Sequence, residues 1–180
     1  EDLNILYSGS GPEACAKTWS KKVTKKILEE NSINTPISIS ISEFTRQVAK
    51  NGLNISSFDC FRPFNYLFLK PDEDGSSIDI FKISDDQSLQ HAYKKCINHK
   101  RGFLFEEYIK GRELTVTVID NECFPPIEII TKNEFYDYDA KYISDETLHI
   151  KAELTQSELD DIKSISLNAV SYTHLRAHET

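Results

Sequence analysis

Apolar residues recur along the chain with two spacings, one typical of helices and one typical of strands. The helical spacing relates Trp19, Val23, Ile27 and Leu28. The other face of this predicted helix carries four lysines, Lys21, Lys22, Lys25 and Lys26. Pro36 ends the helix, because proline disfavours a helical conformation in the residue before it. Beyond it, residues 37–41 alternate Ile-Ser-Ile-Ser-Ile, which predicts a half-buried strand.

The same two spacings continue through the middle of the chain. Residues 42–51 predict a short helix that ends at Gly52. Strands are predicted for three apolar runs, at residues 66–70, 78–83 and 103–106. Between the last two runs, Ser84-Asp85-Asp86 can cap a helix whose core face is Leu89, Ala92, Tyr93, Cys96 and Ile97.

The last third adds a hairpin and a capped helix. Apolar and polar residues alternate over residues 114–119, Asp120-Asn121 predicts a tight turn, and residues 122–124 predict the second strand of a hairpin. Residues 127–131 are predicted to add a further strand to that sheet. A capping box at Thr155-x-x-Glu158 precedes a helix with an apolar face of Leu159, Ile162 and Ala169. Helices mixed with hairpins predict an α+β fold with antiparallel sheets rather than a doubly wound sheet.

Composition and charge narrow the class of protein. The 180 residues are 39% hydrophobic and 28% charged, and the mean hydropathy is −0.45, so the chain can fill a core. No apolar run approaches the roughly 18 residues of a membrane span, and no secretory leader opens the chain. We therefore expect a cytoplasmic protein without a membrane partner. The net charge of −8 argues against nucleic acid as its partner.

Cysteine, methionine and histidine usage adds three expectations. The cysteines are far apart without a C-x-x-C pair, so we expect free buried thiols at Cys15, Cys60, Cys96 and Cys123. The absence of methionine favours a fragment of a longer chain. In the tail, residues 171–180, His174 and His178 have the spacing of helical metal ligands, but the glutamate of H-E-x-x-H is missing. A disordered or foreign end is the favoured interpretation.

Four stretches carry polar residues that folding alone does not require: Lys21, Lys70 with residues 74–77, residues 105–113 and residues 135–142. Taken singly, each is compatible with a solvated surface. Taken together, they supply separated lysines for phosphate charge, a Gly-Ser loop with hydrogen-bond donors, and carboxylates for a ribose diol. Neither G-x-x-x-x-G-K-[ST] nor G-x-G-x-x-G occurs, so a nucleotide site must have another architecture.

Three motifs carry a resemblance to a known family. Lys-Pro-x-x-x-Gly-Ser-Ser at 70–77, Glu-Glu-Tyr-Ile-Lys-Gly-Arg-Glu at 106–113 and Phe-Tyr-Asp-Tyr-Asp-Ala-Lys-Tyr at 135–142 resemble D-alanine–D-alanine ligases, and the resemblance covers about residues 5–170. It implies an α+β ATP-grasp fold of antiparallel sheets packed with helices, with a complete lid subdomain and a partial second subdomain. The implied parts are a remnant of an N-terminal substrate domain and linker (1–17), the lid (18–105), the second subdomain (106–170) and the atypical tail (171–180).

The resemblance also implies roles for residues at an ATP site. Lys21 and Lys70 match lysines that hold the α- and β-phosphates. Glu106 matches the acid near the adenine amine, and the backbone of Glu107 and Ile109 matches the contacts to the purine edge.

The remaining matched residues belong to the ribose and to the reacting groups. Glu113 matches the ribose carboxylate, and Lys141 matches a lysine near the γ-phosphate on a mobile loop. Ser76 and Ser77 match the serine loop at the amino-acid substrates, with Tyr142 hydrogen-bonded to it. The catalytic residues that the resemblance implies are thus Ser76, Lys141 and Tyr142. Residues 71–74 are predicted to be mainly a linker, with Asp72 dispensable.

The implied activity is ATP-dependent joining of two D-alanines through an acyl phosphate, for peptidoglycan precursor synthesis. The implied ligands are ATP, D-alanine and Mg²⁺ or Mn²⁺, with the metal ligands expected in a C-terminal part that this chain lacks, and a homodimer is compatible with the intact enzyme. Asp79 departs from the family pattern after the serines. Two alternatives stay open: another ATP-grasp carboxylate–amine ligase, and a nucleotide-binding fragment without catalysis.

Overall fold

The structure is a computed structural model that describes residues 9–55, 66–75, 77–132, 138–144 and 146–173. Its helices are α1 (Pro12–Trp19), α2 (Lys21–Glu30), α3 (Ile41–Asn51), α4 (Asp86–Cys96), α5 (Tyr138–Tyr142) and α6 (Gln156–Thr173). Its strands are β1 (Ser38–Ser40), β2 (Leu67–Pro71), β3 (Phe81–Ile83), β4 (Phe103–Glu107), β5 (Glu113–Thr115), β6 (Val118–Ile119), β7 (Glu122–Cys123), β8 (Ile127–Ile130) and β9 (Leu148–Lys151).

The first sheet has the order β1-β4-β2-β3, and all its strands are antiparallel. Successive side chains of a strand point to opposite faces, so Leu67, Leu69 and Phe105 share one face. The helices α3 and α4 cover that face, and Phe44 of α3 stacks on Phe105 with ring centroids 3.9 Å apart. This layer is the apolar core of the protein.

The opposite face of the first sheet carries charged side chains, one of which contacts α2. Phe68 lies directly across from Glu106, and Lys70 follows two residues later on the same face. Lys25 of α2 reaches this face and forms an ion pair with Glu106. One face of the sheet therefore packs into the apolar core, and the other face presents charged groups.

The second sheet has the order β5-β8-β9, again antiparallel, and a separate hairpin joins β6 to β7. Asp120 and Asn121 at the hairpin turn have φ of +48° and +65°, which is the geometry of a tight primed turn. The helix α6 packs against β6 and β7 and against α1 and α2. It thereby connects the β6–β7 hairpin to the first two helices.

Most of the predicted elements are present, and the α+β antiparallel class is confirmed. Gly52 ends α3 with φ +80°, Asp85 and Ser88 form a capping box at α4, and Thr155 and Glu158 form the predicted one before α6. Cys15, Cys96 and Cys123 are free thiols, as predicted, but the expectation that they are buried holds for Cys96 and is wrong for Cys15, which is exposed, and for Cys123, which is half-buried; Cys60 lies outside the described residues.

Several expectations need correction. The predicted strand 114–119 is divided, because β5 pairs with β8 whereas β6 pairs with β7. The strand expected from residue 78 begins at Phe81, since Ser77 and Asp79 adopt positive φ, which a strand does not tolerate. The helix containing Trp19 breaks at Ser20, and Trp19 is 55% exposed. Ile97, expected in the core, is 42% exposed.

The lysine face and the tail also differ from expectation. Lys25, predicted to face solvent, is buried, because Glu106, the Pro36 carbonyl and the Thr35 hydroxyl accept hydrogen bonds from its ammonium group. Residues 171–173 continue α6, with Thr173 buried, so the first part of the predicted tail is helical; His174 and His178 lie outside the described residues. Among the helices that the structure describes, each is too short or too polar to cross a bilayer.

Candidate functional site

A cavity of about 460 Å³ opens beside the polar face of the first sheet. Its walls come from that face, from the loop after β2, from the connection between β4 and β5, and from α5. Eight residues predicted from the sequence line it together: Lys21, Lys70, Ser77, Glu106, Glu107, Ile109, Glu113 and Lys141. Tyr142 lies outside the lining and is 62% exposed, and Ser76 is not among the described residues. The individual roles of these residues stay predictions.

Glu106 lies between two lysines at the floor of the cavity. Its Oε2 accepts a hydrogen bond of 2.9 Å from Lys25 Nζ, and its Oε1 accepts one from Lys70 Nζ. Burial opposes ionisation of Glu106, but the charges of Lys70 and Lys25 outweigh it and hold the pKa of this carboxyl below its ordinary value. The group is therefore a carboxylate at neutral pH.

Lys21 begins α2 at the edge of the cavity. Its Nζ donates to the carbonyl oxygens of Asp74 at 2.8 Å and Asp72 at 3.3 Å. Partial burial lowers the pKa of Lys21, with nearby Lys70 acting in the same direction and Asp72 and Asp74 against it. The ammonium group is thus held by the backbone of the loop after β2 while it faces the cavity.

Asp72 holds the first turn of α2 in place. Its carboxylate accepts hydrogen bonds from the Lys22 amide at 2.8 Å and from the Ser20 hydroxyl at 3.1 Å, and its carbonyl accepts from the Lys21 amide at 3.1 Å. The expectation that residues 71–74 are mainly a linker is therefore wrong for Asp72, because its carboxylate accepts hydrogen bonds from the first turn of α2.

The loop after β2 is fixed by charge pairs at both ends. One guanidinium nitrogen of Arg101 pairs with Asp74 and the other pairs with Asp79. Between these two acids, the Ser77 hydroxyl accepts a hydrogen bond of 2.7 Å from Lys141 Nζ. Asp79, the departure from the family pattern, is thereby paired with Arg101 and is absent from the cavity lining.

An apolar wall stands beside the charged floor of the cavity. Phe68, Ile80, Tyr108 and Ile109 belong to it, and the rings of Phe68 and Tyr108 lie 5.8 Å apart. The Glu107 carboxylate accepts a 2.7 Å hydrogen bond from the Ile37 amide, and the Glu107 amide donates to the Ile37 carbonyl at 3.0 Å. A flat aromatic group can lie along this wall while its charged end faces the lysines.

Three residues of the site were missed from the sequence: Lys25, Asp72 and Arg101. Lys25 follows Lys21 by four residues, so the two share a helix face, and this spacing could have separated it from the solvated lysines. Arg101 and Asp72 depend on contacts between distant parts of the chain, which no local pattern reveals. Within the described ranges, no group of three His, Cys, Asp or Glu side chains is placed to hold a metal ion.

Comparisons with known proteins agree with this geometry. The fold is the ATP-grasp fold of a crystal structure of D-alanine–D-alanine ligase from Bacillus anthracis, with a TM-score of 0.72 and 27% identity over 96% of this chain and 54% of that one. A second Bacillus anthracis ligase structure, complexed with ATP, has a TM-score of 0.70 at 23% identity and supports the fold alone. Residues 43–178 match the family model for the D-ala D-ala ligase C-terminus, and the chain belongs to that family.

The curated relatives that the chain matches are also named D-alanine–D-alanine ligases. D-alanine–D-alanine ligase B of Clostridium perfringens is 28% identical over 166 residues, which is 92% of this chain and 52% of that protein. The D-alanine–D-alanine ligase of Pseudoalteromonas translucida is 31% identical over 170 residues, 94% of this chain and 53% of that protein. The chain thus spans about half the length of the curated relatives that it matches.

Proposed function

We propose that this chain forms the ATP site of an ATP-dependent ligase that joins two D-alanines, the cytoplasmic step that supplies a peptidoglycan precursor. The observation that carries the proposal is the convergence of Lys21, Lys70 and Lys141 on one cavity that also has an apolar wall. Separated ammonium groups suit a triphosphate, whose charge is spread over many oxygens, and the wall suits a purine ring.

The proposed orientation of ATP follows from these walls. The adenine lies against Phe68 and Ile109, where the backbone of Glu107 and Ile109 can contact its edge. Glu113, at the start of β5, accepts the ribose hydroxyls. The phosphates then extend past Lys70 and Lys21 towards Lys141. In this arrangement the division into a lid (18–105) and a second subdomain (106–170) puts ATP between the two.

The proposed reaction has two steps. A D-alanine carboxylate attacks the γ-phosphorus of ATP, and the bond between this phosphorus and the β,γ-bridging oxygen breaks. ADP is released, and the D-alanine becomes an acyl phosphate. The amine of a second D-alanine then attacks the acyl carbon, releases phosphate and forms the peptide bond after losing a proton. Lysines oppose the negative charge that develops during phosphoryl transfer. The Ser77 hydroxyl accepts a hydrogen bond of 2.7 Å from Lys141, and this contact supports a role for Ser77, with Ser76 and Tyr142, in the loop that would bind the amino acids.

A second candidate is a nucleotide-binding chain without turnover. ATP-grasp ligation needs Mg²⁺ or Mn²⁺ to bridge phosphate oxygens, and carboxylates usually hold such ions. The described part of the chain lacks a group of three such ligands. We propose that the ligands belong to the part of the ligase that this chain does not span, and that the chain alone binds ATP weakly without turnover. A ligase with another substrate is less well supported, because Asp79 pairs with Arg101.

Titration of the 180-residue chain with ATP, followed by ¹H–¹⁵N spectra, tests the binding site. Wild type should show shifts at residues around the cavity, and Lys70→Ala should weaken binding about ten-fold, since a lost charge-assisted phosphate contact is worth about 1.4 kcal/mol or more. Lys50→Ala, which removes an exposed lysine from the last turn of α3, is the matched control and should leave binding unchanged. Equal effects from the two variants, or no ATP-dependent shifts, would contradict the site.

Phosphate release tests the second candidate, in which the chain alone does not turn over ATP. With ATP, Mg²⁺ and D-alanine, the isolated chain should release no phosphate above background. D-alanine-dependent release would show that the chain contains its own metal ligands and would reject the second candidate.

A further inference from the structure

Lys25 is a buried cation that lies outside the cavity lining. Its side chain is 9% exposed, and its Nζ donates to Glu106 Oε2 at 2.9 Å, to the Pro36 carbonyl at 2.5 Å and to the Thr35 hydroxyl at 2.9 Å. Three acceptors match the three N–H donors of an ammonium group, so each donor is paired despite its burial.

The Glu106 carboxylate also pairs with Lys70, which does line the cavity. Lys70 Nζ pairs with the other oxygen of Glu106, and its side chain is 24% exposed. One carboxylate shared by two ammonium groups leaves one net positive charge. Because Lys25 is the deeper of the two cations, that remaining charge acts in the cavity through Lys70.

We propose that Lys25 is a positioning residue that controls phosphate binding without contacting ATP. By sharing Glu106, Lys25 prevents this carboxylate from neutralising Lys70 completely. Without Lys25, Lys70 and Glu106 would form an ion pair with no net charge. A phosphate would then have to compete with the Glu106 carboxylate for the ammonium group of Lys70. This inference rests on the proposed ATP site.

A purely structural role for Lys25 leads to a different expectation. Lys25 also joins α2 to residues 35–36 and to β4, so its loss could disturb the whole cavity. A disturbed cavity would bind ATP and adenosine less tightly by similar factors. Loss of charge alone would weaken ATP and leave adenosine nearly unchanged, because adenosine has no phosphate. The ratio of the two affinities therefore separates the roles.

The test compares ATP and adenosine binding by ¹H–¹⁵N titration of the full chain without Mg²⁺, so that no metal masks the phosphate charge. Lys25→Met should reduce the preference for ATP over adenosine about ten-fold, the size expected for one charge near phosphate in a medium of intermediate dielectric. Lys25→Gln, which keeps a hydrogen-bond donor without the charge, should do the same and replaces Lys25→Met if that variant unfolds.

Two further variants complete the design. Lys26→Met removes the neighbouring lysine, which is 74% exposed and pairs only weakly with Glu30 at 3.7 Å, and should keep the wild-type preference. Lys25→Met combined with Glu106→Gln removes both buried charges, leaves Lys70 unpaired, and should restore the preference for ATP.

The outcomes separate this inference from the proposed function. If wild type binds neither ligand, the proposed ATP site fails and the inference fails with it. If wild type prefers ATP and the folded Lys25 variants keep that preference, or lose ATP and adenosine affinity equally, the inference is overturned while the ATP site stands. Loss of preference in the single variants and recovery in the double variant support it.

Discussion

The carboxylate of Asp72 links a loop to a helix that begins more than fifty residues earlier in the chain. It accepts from the Lys22 amide and the Ser20 hydroxyl, while Ser20 itself caps α2 by accepting from the Val23 amide at 3.2 Å. The amides of a first helical turn have no partner within the helix, so both side chains satisfy groups that would otherwise be unpaired. At this scale, one acid positions the helix that carries Lys21 and Lys25.

We expect Asp72→Ala to lower the free energy of unfolding by about 1–2 kcal/mol, the usual cost of losing a helix cap. Urea unfolding followed by circular dichroism measures the change. Glu73→Ala is the matched control, because Glu73 is exposed and pairs through its backbone with Ser20. An equal stability of the two variants would show that the Asp72 contacts contribute little.

The loop between β2 and β3 is the element on which the proposed substrate end depends. The planar guanidinium of Arg101 reaches Asp74 on one side and Asp79 on the other, which a lysine could not reproduce with fixed geometry. Ser77 and Asp79 adopt φ of +58° and +54°, a conformation that costs energy for residues with side chains. The paired charges offset part of this cost and keep Ser77 near Lys141.

We expect Arg101→Gln to speed amide hydrogen exchange at residues 77–79 about five-fold, because partly exposed ion pairs contribute on the order of 1 kcal/mol. Exchange measured by NMR reports these amides individually. Arg46→Gln, which breaks a pair with Glu43 on the exposed side of α3, should leave the loop unchanged. Unchanged exchange in Arg101→Gln would mean that the backbone alone holds the loop.

The two sheets differ in how well side chains cover them. In the first sheet, β4 is buried along its length, and Leu69 and Phe105 are 0% exposed. In the second, every residue of β9 is exposed, including Leu148 at 52% and Ile150 at 42%. Since burial of apolar surface is the main stabilising contribution, the first sheet should be the more stable part of the molecule.

We expect amides of the β8–β9 ladder to exchange more than ten-fold faster than those of the β2–β4 ladder, a difference of more than about 1.4 kcal/mol in opening free energy. The comparison needs only the wild-type chain, with the pairs Leu69–Phe105 and Glu128–Ile150 as reporters. Equal protection in both ladders would show that the molecule opens as one cooperative unit.

The sequence by itself determined the local features of this protein. The period-two run at residues 37–41, the glycine after α3 and the two capping boxes depend on neighbouring residues only, so they could be predicted from spacing. The resemblance to the ligase family also identified the eight residues that line the cavity together. Short elements such as α5 and β9 escaped prediction because few residues carry their periodicity.

The tertiary structure alone decided which charges meet. The chain has four lysines between residues 21 and 26. Their spacing puts Lys25 on the same helix face as Lys21, but it does not show that Lys25 is buried while Lys26 is exposed; the contact between α2 and β4 decides this by bringing Glu106 to Lys25. Likewise, Arg101 can form ion pairs with Asp74 and Asp79 only once β4 is paired with β2. Such contacts join residues distant in sequence, and their free energy depends on burial that exists only once the sheet has formed.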